Sequence, residues 1–364
     1  MRILLLSAYD TDSHKSWCQG LLQHCSDIEW TYLVLPGRYF SWRIRGNPLS
    51  WAYGEQREML NKQYDLVMAT SMVDLATLKG LVPNLGRIPS VLYMHENQFA
   101  YPKSQAQHQS VEPQMVNLYS ALAADRIIFN SEFNRTTFLK GAKALLNKMP
   151  DCAPLSALET IERKSQILPV PINRPNSFPA SKANDTLKVI WNHRWEYDKG
   201  PDVLHALIKR CHETHAPLRF TIAGNQFRQI PDSLAQLQSA QYKCVDHIGT
   251  FKQRQAYETA LTQHQVVLST ACHEFQGLAL LEGCAHGCVP LAPNDLAYPE
   301  WVPPPCLYDS NSDTLVQANN ILQTLMIWQQ DGLPERPDVS DYFWENMAQK
   351  YTESLFRIQE DYLG

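Results

Sequence analysis

The sequence predicts an α/β protein built as two doubly wound halves that face each other across a central cleft. Three observations carry this. Short apolar runs of strand length recur along the chain, and polar side chains cluster where they end. The 364 residues exceed one ordinary domain and suit two. Residues 169–185 hold four prolines among Asn, Ser and Asp, the composition of a linker. Residues 1–172 then form one Rossmann-like domain and 186–336 the other, with the last helix, 341–364, packing back on the first. In open parallel sheets ligands sit outside the carboxyl ends of the strands. Polar strand ends in both halves therefore imply a cleft between facing domains.

Composition excludes several classes. The chain is 44% hydrophobic and 19% charged, as a soluble globular protein is. The nine cysteines include no CxxC pair, and Cys284 and Cys288 flank a helix end at poor metal spacing. They read as reduced thiols of a cytoplasmic protein. The opening Ile3–Ser7 reads as a strand, since its apolar run is short for a signal peptide. No apolar run approaches a membrane span. With a net charge of −5, a nucleic-acid partner needs a local basic patch.

The first strand, Ile3–Ser7, enters a loop from Tyr9 to Lys15 that holds Ser13 and His14. A helix from Ser16 to His24 and a strand from Tyr32 to Leu35 follow. Asp10 and Asp12 have the look of a metal-binding Asp-x-Asp but lie in a turn without a third ligand. The loop from Pro36 to Gly46 interleaves Arg38, Arg43 and Arg45 with Tyr39, Phe40 and Trp42. Arginine binds phosphate bidentately and aromatics stack on bases, so the loop is a candidate RNA contact. It also reads as a surface loop with inward aromatics, or as a weak contact with an anionic membrane surface. Strands at Asp65–Thr70, Ser90–Met94 and Asp125–Phe129 come next. The second ends in His95-Glu96-Asn97-Gln98, a candidate site, and the third in Asn130-Ser131 before a helix from Glu132 to Leu139. Beyond the linker, a strand from Leu187 to Trp191 ends in Asn192, Arg194 and Lys199, two cations able to neutralise a diphosphate. Further strands, Phe220–Ala223 and Val245–Ile248, end at Gly224-Asn225 and near Phe251. The tail, Asp341 to Tyr362, is amphipathic, with Phe343, Trp344, Met347, Tyr351, Leu355, Phe356 and Ile358 on its buried side.

One stretch organises the second half. Val266–Leu268 is a buried strand, a polar loop carries Glu274, and Gly277 opens an apolar helix that Gly287 ends before a strand from Cys288 to Ala292. Backbone N–H groups from Phe275 through Gly277 to Leu278 would face the crevice, where the helix dipole favours an anion. Glu282, about two turns into the helix, reaches a second part of the same ligand. A diphosphate on the N–H groups, with sugar hydroxyls on each carboxylate, describes a sugar nucleotide. The simpler alternative makes Glu274 a helix cap and leaves Glu282 solvated, though a carboxylate inside Leu278-Ala279-Leu280-Leu281 needs a partner.

Arg194, Lys199 and the pair Glu274…Glu282 resemble the family-4 retaining glycosyltransferases, which have the GT-B fold of two Rossmann-like domains. More narrowly the chain resembles the tRNA-queuosine mannosyltransferase family. The matching stretches are Ser13-His14-Lys15, Trp42-Arg43-Ile44-Arg45, His95-Glu96-Asn97-Gln98 with Tyr101-Pro102, Phe129-Asn130-Ser131, His193-Arg194-Trp195-Glu196, His273-Glu274-Phe275 and Tyr298-Pro299-Glu300. The resemblance implies that Arg194 and Lys199 hold the donor diphosphate, Glu282 the ribose, Glu274 the transferred sugar, and that His95 contacts the sugar near its anomeric centre. Ser13, His14, Asn192, Gly224, Asn225, Phe251, Phe275, Gly277 and Leu278 would complete the donor site. Arg38, Trp42, Arg43, Arg45, Asn97, Gln98 and Asn130 would meet the acceptor. It implies GDP-mannose as donor, queuosine in tRNA as acceptor, no metal or other cofactor, and a front-face mechanism. Two departures stand out: Asp10-Thr11-Asp12 where the family has a glycine pair, and Gly283 in place of alanine. The rival readings are a transferase to a lipid or glycan, and a non-catalytic RNA-binding protein.

Overall fold

A computed structural model describes residues 1–101, 110–175, 186–226, 230–240 and 242–363. The linker residues 176–185 and Pro102 therefore lie outside the described residues. The chain divides into two compact units, Met1–Pro171 with Trp344–Gly364, and Ile172–Phe343. The second unit thus runs to Phe343, past residue 336.

The first unit holds β1 (Arg2–Asp10), β2 (Glu29–Pro36), β3 (Leu66–Thr70), β4 (Ser90–Met94), β5 (Arg126–Phe129) and β6 (Ser165–Ile167). They form one parallel sheet in the order β2-β1-β3-β4-β5-β6. β3 and β4 are buried along their whole length, as strands covered on both faces must be, and this is why they read as unbroken apolar runs. The second unit holds β7 (Leu187–Asn192), β8 (Leu218–Ala223), β9 (Val245–Gly249), β10 (Val266–Leu268), β11 (Val289–Pro293) and β12 (Leu307–Tyr308). Its order, β12-β11-β10-β7-β8-β9, is again parallel throughout. Each order reverses once, between β1 and β3 and between β7 and β10. Ligand crevices open at the carboxyl ends of such strand pairs.

Several local expectations change. The first helix begins at Asp12 rather than Ser16, so only Thr11 separates it from β1. Ser13 and His14 therefore sit in a first helical turn, not in a loop. The Arg-aromatic segment is also helical, Phe40–Ala52, despite Pro48 inside it. Pro48 has no N–H for the Ile44 carbonyl; the Asn47 amide donates there instead at 3.2 Å, and to the Arg43 carbonyl at 2.9 Å. The helix from Glu132 runs on to Leu146. The C-terminal helix spans Trp344–Leu363, and Phe356 on it is half-buried rather than core. Gly20 leaves space for the Trp344 ring, since a Cβ there would lie 2.1 Å from it. Tyr351 of the same helix accepts the Trp17 indole N–H at 3.1 Å and lies 2.9 Å from the Tyr93 hydroxyl.

Candidate active site

In the second unit the polar groups gather where β7 and β10 end side by side. Two glycines allow this. A Cβ on Gly200 would lie 1.8 Å from the Thr270 carbonyl, and one on Gly224 would lie 1.8 Å from the His193 carbonyl. The loops after β7, β8 and β10 therefore touch backbone to backbone. Lys199 is buried there. Its Nζ meets the His273 carbonyl at 2.9 Å, Glu274 Oε2 at 3.2 Å and Asp198 Oδ2 at 3.2 Å. The first two are hydrogen bonds, and the third is an ion pair in which neither Asp198 carboxylate oxygen has a hydrogen-bond partner among the described residues. Burial opposes the Lys199 charge, but Glu274 and Asp198 outweigh it and raise its pKa. Burial likewise opposes the Glu274 charge, yet Lys199 and His193 hold that carboxyl at about 2. His193, buried beside Lys199, falls to about 3 and is neutral at pH 7.

Glu274 Oε1 accepts the Phe275 and Gln276 N–H groups at 3.0 and 3.4 Å. Two of the amides expected to face the crevice thus already hold an anion, the chain's own. The following helix, Leu278–Ala285, starts from Gly277 at φ 87°. Its first N–H groups precede any intrahelical acceptor. Tyr298 packs beneath Gly277, where a Cβ would lie 2.7 Å from its ring, and hydrogen-bonds Ser269 at 2.7 Å.

Glu282 has the partner it needs. Arg254 reaches its Oε1 at 2.5 Å and the Tyr257 hydroxyl donates to its Oε2 at 3.0 Å. Asn192 donates to the Tyr257 oxygen at 2.8 Å and to the Ala279 carbonyl at 2.9 Å, and its own Oδ1 is buried without a partner. Arg254 and Tyr257 escaped the sequence reading; their signal was one helical turn of spacing directly after Phe251. Gly283 is explained by its neighbour: a Cβ there would lie 2.7 Å from the Val267 side chain. The helix thus sits directly on β10. Arg194 is exposed and pairs with Glu196 at 3.1 Å. The Asn225 carbonyl accepts the Trp195 N–H at 3.0 Å, and Phe251 stacks on His247 at 4.3 Å.

The first unit brings a second cluster to the ends of β1, β3 and β4. His14 Nδ1 lies 3.0 Å from the Tyr9 carbonyl and Nε2 lies 3.0 Å from Glu96 Oε2. Both neighbours are acceptors, so both nitrogens carry protons and the ring is an imidazolium. Ser71 donates to Glu96 Oε1 at 2.7 Å. Against the effect of burial, His14 holds Glu96 at about 2 and Glu96 raises His14. The His95 ring lies 4.2 Å from His14 and is held by Trp17 and Tyr93, each at 4.6 Å. Both its nitrogens are buried without a partner. Burial, then the His14 charge, push His95 well below its ordinary value, so it stays neutral. Ser13 lies on the exposed side of the same turn, its hydroxyl 3.5 Å from that of Thr11.

Four expected acceptor residues are engaged in the fold. Asn97 is fully buried; its amide donates to Asn134 and Thr137, and its oxygen accepts the Phe99 and Ala100 N–H groups. Asn130 bridges the His95 carbonyl and Asn134. Arg43 is buried inside its helix, and Arg45 pairs with Asp74 at 2.5 Å. Helical phase buries Arg43, whereas Arg45 stays exposed and is tied to Asp74 by its ion pair. Gln98 is half-buried, its N–H given to Asn117 at 2.8 Å. Arg38 and Trp42 are exposed. Asp10 accepts the Tyr32 hydroxyl at 3.1 Å, and among the described residues no three His, Cys, Asp or Glu side chains gather into a metal site. No helix among them is long and apolar enough to cross a membrane.

A family profile described as tRNA-queuosine alpha-mannosyltransferase N-terminal matches residues 2–172. The tRNA-queuosine alpha-mannosyltransferase of Drosophila melanogaster is 30% identical over 354 residues, 94% of this chain and 91% of that protein. The chain belongs to this glycosyltransferase family. Solved structures show the fold. HepE of Anabaena in complex with UDP superposes with a TM-score of 0.66 at 14% identity, covering 98% of this chain and 100% of that one. Sucrose-phosphate synthase of Thermosynechococcus elongatus gives 0.68 at 15% identity, covering 98% of each. Both support two Rossmann-like domains of GT-B type, as the strand orders do.

Proposed function

We propose that this chain moves mannose from GDP-mannose onto queuosine in tRNA, with retention at the anomeric carbon, in the cytoplasm. The observation that carries the reading is the Lys199–Glu274 pair at the β7/β10 reversal, with Glu282 fixed one helix away. Together they provide a cation, backbone donors and two oriented carboxylates for one sugar nucleotide. The donor binds by exchange. Its diphosphate accepts hydrogen bonds from the Lys199 ammonium and from the N–H groups that Glu274 now holds, and Glu274 turns to the sugar hydroxyls. Arg254 and Tyr257 hold Glu282 toward the ribose. Arg194, released from Glu196, adds a second cation, so no metal is needed for the leaving group. The bond from the sugar C1 to the phosphate oxygen breaks, a bond from C1 to the acceptor oxygen forms, and the acceptor's hydroxyl proton passes to the leaving phosphate. In the first unit neutral His95 offers one donor and one acceptor to a hydroxyl.

The test supplies GDP-mannose with queuosine-containing and queuosine-lacking tRNA and measures nucleoside mass. A hexose on queuosine alone is expected. Tight binding of sugar nucleotides with no hexose on either tRNA would redirect the enzyme to a lipid or glycan acceptor. Absence of any nucleotide binding would leave a non-catalytic RNA-binding protein.

A further inference from the structure

The helix Phe40–Ala52 leaves one face bare. Tyr39 at its start, Trp42, Leu49 and, just past its end, Tyr53 fall on a single stripe at helical spacing. They are 72%, 53%, 51% and 66% exposed. Large apolar groups gathered in this way mark a binding surface. Gly46 fixes how Trp42 lies. A Cβ at Gly46 would come 2.5 Å from the indole, so the ring lies flat across residue 46 with its outer side in solvent. Cations frame the stripe: the Arg38 guanidinium lies 5.6 Å from the Tyr39 ring centre and that of Arg57 lies 6.0 Å from Tyr53. Across residues 38–57 the sequence holds four arginines and one carboxylate, Glu55, in a chain of net charge −5; with Arg43 buried and Arg45 paired to Asp74, Arg38 and Arg57 are the cations beside the stripe. From Tyr39 to Tyr53 the stripe runs roughly 21 Å at 1.5 Å per residue.

We infer that this stripe is a base-stacking platform for single-stranded RNA, centred on Trp42 over Gly46, with Arg38 and Arg57 meeting phosphates at its two ends. The inference rests on the reading of tRNA as acceptor and adds Tyr39, Gly46, Leu49, Tyr53 and Arg57 to it. Flat aromatic faces accept any base, and arginines beside them serve both stacking and phosphate. A membrane surface fits less well. Helices that lie in lipid set a wide charged face opposite the apolar one, whereas Arg43, Ile44, Asn47, Trp51 and Ala52 bury the opposite side of this helix in the fold.

Fluorescence anisotropy with end-labelled, queuosine-lacking tRNA reads binding without transfer. Trp42→Ala should weaken binding about 5–150-fold, Trp42→Phe should restore most of it, and Gly46→Ala, which tilts the ring without removing it, should fall between. Titration with GDP should be unchanged in each. If Trp42→Ala melts early, Gly46→Ala and Trp42→Phe carry the comparison. Wild-type affinity in Trp42→Ala and Gly46→Ala would overturn the platform. So would loss of binding to phosphatidylserine vesicles in these variants with tRNA affinity intact. If the variants lose tRNA binding while the wild type transfers no hexose to queuosine, the platform stands and the acceptor reading falls. If transfer proceeds and the variants bind tRNA normally, the acceptor reading stands and the platform falls.

Discussion

Replacing Lys199 with methionine keeps the side-chain stem and removes the charge that two carboxylates share. Asp198 is 1% exposed and has the Lys199 ammonium 3.2 Å from Oδ2. Glu274 stands 3.2 Å away on the other side. Removing one partner of a buried ion pair costs about 3–5 kcal/mol, because the remaining charge stays in low dielectric. For a unit of this size each kcal/mol moves the melting temperature by about 2–4 °C, so a fall of about 6–20 °C is expected. The deficit depends on pH. In the wild type the Glu274 carboxyl sits at about 2 instead of its ordinary 4.5. Its contribution is therefore present above pH 4.5 and lost as pH falls through about 2. The variant lacks that contribution, so the gap between the two proteins should be widest near pH 7 and narrow toward pH 3. Adding Asp198→Asn neutralises one stranded carboxylate and should recover much of the stability. It should not recover turnover, expected to fall about 10²–10³-fold with the cation gone. Urea melts at pH 7, 4 and 3, paired with hexose-transfer rates at pH 7, make the measurement. A deficit under about 1 kcal/mol, or recovery of turnover in the double variant, would refute the placement of Lys199 at the heart of the site.

Three further outcomes are expected. Glu96→Gln should abolish the stability that the raised His14 pKa gives below pH 6.5 and that the wild type loses as pH rises through the raised value; equal urea midpoints for both proteins between pH 6 and 9 would count against the imidazolium. Arg254→Ala should raise the KM for the sugar nucleotide about tenfold while changing kcat little, since ribose contacts bind ground and transition states alike; calorimetry with GDP checks it, and an unchanged Kd would remove Arg254 from the site. Turnover should survive excess EDTA, and abolition with rescue by Mg²⁺ would return Asp10 to consideration as a ligand.

The sheets were legible because parallel strands buried on both faces leave apolar runs, and Ser90–Met94 and Val266–Leu268 appear as read. The helices were less so. The segment from Pro36 to Gly46 read as a loop, whereas the helix runs through it and past Pro48, with the Asn47 amide serving the Ile44 carbonyl in a contact invisible in sequence. In the candidate site, Lys199 and Glu274 were legible as residues placed after strand ends, and the structure brings them together. Arg254 and Tyr257 were not, because a helix with polar residues along it looks like any solvated surface. Asn97 and Asn130 looked like ligand groups for the opposite reason. A polar run at a strand end serves a ligand or the fold equally well until its hydrogen bonds are followed to Asn134.

The contact between Gly283 and Val267 also limits how this site can change by mutation. Alanine at 283 adds one methyl group, yet it would press on a β-branched side chain in the central strand of the second sheet. The two positions are therefore epistatic. A smaller residue at 267 is expected to relieve that clash, so alanine at 283 should cost less beside it than beside valine. Glu282 precedes Gly283 on the same helix, so a mismatched pair would shift the carboxylate along with the helix that carries it. In the proposed donor site, the position of Glu282 is in this way coupled to a methyl group one residue away on the face that meets the sheet.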